Sequence, residues 1–77
     1  EPQTALCAGP TGLEALQFII EHASDFLRPG GWLCLEHGAT QGPDVRRFFQ
    51  QHHFDFVETE KDLQGLERIT SGSKFSQ

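Results

Sequence analysis

The chain has 77 residues, 36 % of them hydrophobic, and a net charge of -5. That is one small domain or part of one, since domains usually run to about 100–150 residues. Eleven acidic against six basic residues argue against a surface that tracks nucleic-acid phosphates, which needs clustered Lys and Arg. No stretch approaches the roughly 18 apolar residues of a membrane span, and no basic segment followed by an apolar run opens the chain.

Residue 1 is Glu rather than Met, and Glu1-Pro2 reads as the interior of a longer sequence, cut by design or by proteolysis. From Thr11 to Leu27 the residues Leu13, Leu16, Ile20, Ala23 and Leu27, with Ile19 and Phe26 beside them, recur at spacings of three and four. This predicts a helix with one buried face. Thr11-Gly12-Leu13-Glu14 fits a capping box at its start. Arg28-Pro29-Gly30-Gly31 is expected to end it, because Pro pushes its predecessor out of the helical region and Gly permits positive φ.

Trp32-Leu33-Cys34-Leu35 is a continuous apolar run, which predicts a central strand covered on both faces. Glu36-His37-Gly38 then turn polar at its carboxyl end, where open α/β sheets hold ligands. A second helix is expected from Pro43, with Val45, Phe48, Phe49 and His52 inward and Asp44, Arg46, Arg47, Gln50 and Gln51 outward. Phe54 to Thr59 and Leu66 to Thr70 read as strands joined through Asp62-Leu63-Gln64-Gly65. Ser71 to Gln77 is polar and expected to fray. The fold class is therefore α/β, in the order helix, strand, helix, strand, strand, with a final antiparallel pair.

Cys7 and Cys34 are too few to staple a secreted scaffold, and each sits in an apolar run. Both are expected reduced and the chain cytoplasmic. His22, His37, His52 and His53, taken with the cysteines, lack zinc-site spacing, so no metal is expected. Glu36, at the end of the predicted central strand, either borders a pocket or orders the next loop by accepting backbone N–H bonds. Asp62 and Arg68 read as a structural pair across the turn, and Gly30, Gly31 and Gly65 as turn glycines rather than phosphate cradles.

Glu1-Pro2, Ala5-Leu6, Gly12-Leu13, the run Leu27 to Leu33, Leu35-Glu36-His37-Gly38, Gln41-Gly42 and the run Lys61 to Arg68 occur in a particular order and spacing. Together they resemble the HemK/PrmC family of protein-glutamine N5-methyltransferases across nearly the whole chain. The resemblance implies that residues 1–77 are the C-terminal portion of a class I, Rossmann-like, S-adenosylmethionine-dependent catalytic domain. They would supply its fifth, sixth and seventh strands, with the seventh antiparallel between the other two. It also implies methyl transfer from S-adenosylmethionine to the glutamine amide of the Gly-Gly-Gln motif in class 1 peptide chain release factors, a step in translation termination.

Two of the family's motifs are absent from these residues: the glycine-rich cofactor loop and the Asn-Pro-Pro-Tyr that orients the amide. Glu1-Pro2 would lie shortly after the latter. No catalytic, cofactor-binding or metal-binding residue is therefore expected here, and the piece alone is expected neither to bind the cofactor nor to react. Glu1, Pro2 and Glu36, with Leu6, are the expected substrate-side residues. The rival reading is a small α/β binding module that self-associates through Trp32 to Leu35. That strand would have an open edge, which no charge or proline blunts, and two-fold antiparallel pairing would follow.

Overall fold

The computed structural model describes residues 3–74. Six elements follow one another: β1 (Gln3–Ala8), α1 (Leu13–Ala23), β2 (Leu27–Glu36), α2 (Gly42–Gln51), β3 (Asp55–Lys61) and β4 (Glu67–Ser73). The strands form one mixed sheet in the order β1-β2-β4-β3. β1 runs parallel to β2, and β4 is antiparallel to both β2 and β3. The helix, strand, helix, strand, strand order is thus observed, with β4 between β2 and β3, and one further strand precedes it.

That further strand corrects the expected open edge. Ala5 to Ala8 pair with Trp32 to Leu35 on one side, and Ser73 to Thr70 pair with the same residues on the other. The backbone groups of Trp32 to Leu35 find partners inside the chain, which removes the reason given for self-association along this strand. Thr4 to Ala8 is too short and too rich in alanine for hydrophobic periodicity to reveal it as a strand.

Among the described residues β2 is covered on one face only, not on both as expected. Leu33 and Leu35 are buried, whereas Trp32 is 43 % exposed and Glu36 is exposed. Both helices lie on one face: Leu16, Ile20 and Ala23 of α1 and Val45, Phe48 and Phe49 of α2 share a single core with Leu27, Leu33, Leu35 and Phe54. Cys7, Trp32, Cys34, Glu36, Glu58 and Glu60 alternate onto the opposite face.

α1 stops at Ala23, earlier than the predicted Leu27, because Asp25 and Phe26 donate to His22 and Ala23 in a tightening last turn. Its N-cap is Gly12 with no side-chain cap bond, so the Thr11 to Glu14 capping box does not form. Glu14 still favours the positive end of the helix from the first turn. The Arg28 to Gly31 breaker lies within β2, with Gly30 at φ 81. Lys74 holds this region: its Nζ donates to the carbonyls of Ser24 (2.6 Å) and Leu27 (2.7 Å), and its backbone bonds Gly30 and Gly31. The chain from Ser71 to Lys74 is therefore held in place, contrary to the expected fraying.

α2 buries Val45, Phe48 and Phe49, but His52 caps its end and is exposed instead of facing inward. The reason is a Schellman closure. His53 donates to Gln50 (3.2 Å) and Phe54 to Phe49 (3.0 Å), with His53 at φ 64. The Phe49 and Phe54 rings pack at 5.1 Å, which is the apolar contact this motif favours.

Candidate functional site

Strand polarity places the candidate site. β1, β2 and β3 all run the same way, since β4 opposes both β2 and β3. Their carboxyl ends at Ala8, Glu36 and Lys61, and the loops 9–12, 37–41 and 62–66, therefore gather at one end of the sheet. This is the end at which open α/β sheets hold ligands.

A buried polar chain fastens that end. His37 continues the inward alternation of Leu33 and Leu35 and is only 2 % exposed. Its Nδ1 lies 2.9 Å from the Gly38 carbonyl and its Nε2 2.7 Å from Thr70 Oγ1. Thr70 and Thr59 are register partners, so their hydroxyls meet at 2.8 Å. Arg46 Nη1 donates to Thr59 Oγ1 at 2.9 Å and to Glu67 Oε1 at 3.1 Å.

The two ends of this chain set its direction. A carbonyl only accepts and a guanidinium only donates. With a neutral imidazole, Nδ1–H donates to Gly38, so Thr70 donates to His37 Nε2 and Thr59 to Thr70, while Arg46 donates to Thr59. This assigns the Nδ1–H tautomer from the bonding pattern.

Two further bonds fix loop 37–41: Gly38 N–H to Gln41 Oε1 at 2.7 Å, and His37 N–H to the Arg68 carbonyl at 2.8 Å. The Glu67 carboxylate lies against the first turn of α2, where a Cβ on Gly42 would run into its Oε1. Glycine at position 42 permits that approach, and the helix N-terminus favours the charge.

The 62–66 turn has its own clamp. Asp62 Oδ1 accepts from Gln64 N–H (2.9 Å) and Leu66 N–H (3.0 Å), and Oδ2 accepts from Arg68 Nε (3.0 Å). The Leu66 N–H first, and then Arg68, hold the Asp62 carboxyl below its ordinary value. Gly65 takes φ 84 to complete the turn. The expected structural pair is what the structure contains.

Of the residues singled out from sequence, Glu36 is the last of β2, is exposed, and lies on the face without helices. In the loop that follows, the Gly38 N–H donates to Gln41 Oε1. Leu6 is partly buried and packs against the core. Glu1 and Pro2 lie outside the described residues. Among the described residues no three His, Cys, Asp or Glu side chains come together to hold a metal, and no helix is long and apolar enough to cross a membrane.

Every buried side-chain donor and acceptor among the described residues has a partner. Sequence reasoning missed His37, Thr59, Thr70, Arg46 and Gln41. The signal for His37 was the period of two from Leu33 and Leu35, obscured when the run was read as covered on both faces.

No family model matches the chain. Over 72 residues it is 46 % identical to the release factor glutamine methyltransferase of Aliivibrio fischeri and 47 % identical to that of Haemophilus influenzae, in each case over 94 % of this chain and 25 % of the relative. The chain belongs to the release factor glutamine methyltransferase family. It spans about a quarter of the length of these curated relatives.

A solved structure of the family agrees. The protein-(glutamine-N5) methyltransferase (release factor-specific) of Alicyclobacillus acidocaldarius matches with a TM-score of 0.77 at 26 % identity, over 96 % of this chain and 50 % of that one. The match falls in the C-terminal part of that methyltransferase.

Proposed function

We propose that this chain is the C-terminal portion of the catalytic domain of an S-adenosylmethionine-dependent enzyme that methylates the glutamine amide of the Gly-Gly-Gln motif in class 1 release factors, in the cytoplasm. The observation that carries this reading is the 46 % identity along 72 residues to a release factor glutamine methyltransferase. An amide nitrogen is a poor nucleophile, so such a reaction depends on holding it in line with the methyl donor. The Asn-Pro-Pro-Tyr expected to do so is not in this chain, which has no tyrosine. The cofactor supplies the electrophilic methyl, and the rest of the domain holds it.

The contribution of these residues is a prearranged floor. The His37 to Arg46 chain, Gln41 and the Asp62 clamp fix the loops at the carboxyl end of the sheet. Glu36, exposed at the end of β2, borders the protein substrate in this reading. Glu1 and Pro2 are assigned to the same substrate side by the family resemblance alone.

The test uses a protein of the relatives' full length, incubated with S-adenosylmethionine and a release factor and followed by mass spectrometry of the Gly-Gly-Gln peptide. One added methyl on the glutamine is expected; an unmodified glutamine overturns the reading. In the same assay Glu36→Gln should raise KM for the release factor and leave KM for the cofactor unchanged, and an unchanged release-factor KM removes Glu36 from the substrate side.

A further inference from the structure

Cys7 and Cys34 play no part in the loop-fixing network. They are direct partners in the parallel β1–β2 ladder. Their in-chain neighbours Leu6, Leu33 and Leu35 face the core, so both thiols project onto the face that, among the described residues, carries no helix. Both are free; Cys7 is exposed and Cys34 partly so.

We infer that Cys7 and Cys34 form a vicinal dithiol site that reacts with low-molecular-weight disulfides, of which oxidised glutathione is the type, and closes as a reversible disulfide across β1 and β2. Neighbouring strands lie about 4.8 Å apart, inside the window of about 4.4–6.8 Å that a disulfide requires between Cα atoms. Two thiols alone are short of the four ligands of a structural zinc site, and no third ligand joins them among the described residues.

The reaction balances as two exchanges. The more accessible Cys7 loses its proton and its sulfur attacks one sulfur of oxidised glutathione, forming a mixed disulfide and releasing one glutathione thiolate. Cys34 then loses its proton and attacks the Cys7 sulfur, releasing the second. The two protein thiols are oxidised and one glutathione disulfide is reduced to two thiols, the two protons lost by the cysteines being taken up through solvent by the two released glutathione thiolates.

The surroundings set the order of the steps. Burial first, then contact with Cys7, pushes the Cys34 thiol up to about 11, and the carboxylates of Glu60 on β3 and Glu36 on β2 add to this. Ser71, opposite on β4, brings no charge. Cys34 is therefore the second nucleophile. Parallel strands hold the two Cβ atoms close to the strand spacing, beyond the mean of about 3.8 Å for a relaxed disulfide. The closed bond strains the ladder and is readily reduced.

The test exposes the folded chain to oxidised glutathione, traps remaining thiols with iodoacetamide and weighs the intact protein. The expected product is a monomer lighter by two hydrogens with no trapped thiol, restored by excess reduced glutathione. Cys34→Ser should stop at the glutathione adduct on Cys7. A wild-type chain that stops at that adduct with Cys34 still trappable, or that links two chains instead, overturns the inference. The wild-type result decides even if the variant fails to fold.

Discussion

The face of the sheet covered by helices and the face opposite are made by alternate residues of the same strands, yet they differ in almost every respect. The covered face holds the whole apolar core and a polar chain in which each donor meets an acceptor. The opposite face presents two thiols, the carboxylates of Glu36, Glu58 and Glu60, and the exposed rings of Trp32 and Phe56, 6.5 Å apart. The buried packing is concentrated on the first face and the two thiols lie on the second.

The strongest challenge to this contrast is a charge on each side of β2. Leu35→Asp buries an unpaired carboxylate at a site with no exposure. The cost is several kcal/mol, against a total of about 3–5 for a chain this small. The helical circular dichroism signal should be lost. Cys34→Ser, one residue away on the other face, should shift stability by no more than about 0.5 kcal/mol. Equal effects would mean that the two faces are not distinct.

Thr70→Val tests the polar chain within the covered face. It leaves His37 Nε2 without a donor and the Thr59 hydroxyl without an acceptor, a loss of about 1–3 kcal/mol in a urea melt. A loss below about 0.5 kcal/mol would show that water replaces the hydroxyl.

These outcomes also mark what the sequence could disclose. Both helices, the 62–66 turn and the placement of β4 could be read from periodicity, turn chemistry and family resemblance. Trp32-Leu33-Cys34-Leu35 could not be read correctly from its own letters, because four apolar residues in a row carry no period. The true alternation becomes visible only when His37 is counted as inward. Leu27 is buried in either a helix or a strand, and contacts distant in sequence, its pairing with β1 and the Lys74 bond 47 residues away, place it in β2. The Thr59 to Thr70 pairing depends on strand register, which no local pattern encodes.

A smaller effect is expected at His53, held at φ 64 after α2. His53→Gly removes the left-handed strain while adding unfolded-state freedom, for a net gain of up to about 1 kcal/mol. A lower melting temperature would show that the imidazole makes a contact that offsets the strain.

The smallest effect belongs to the partly exposed Asp62, whose carboxyl is held below its ordinary 3.8 by the Leu66 N–H, Arg68 and the Gln64 N–H. Because the folded value is depressed, its contribution to holding the turn is complete above about 3.8 and disappears as pH falls through the lower folded value. The amide shifts of Gln64 and Leu66 should titrate together below that point and stay flat above it. A midpoint at or above the ordinary value would contradict the clamp.

The central claim is that these residues fix the carboxyl end of a methyltransferase sheet without holding the methyl donor themselves. Titration calorimetry with S-adenosylmethionine, run on the 77-residue chain beside a protein of the relatives' full length, tests it most directly. The account predicts saturable heat for the longer protein and none for the 77-residue chain; saturable micromolar binding to the 77-residue chain would contradict it.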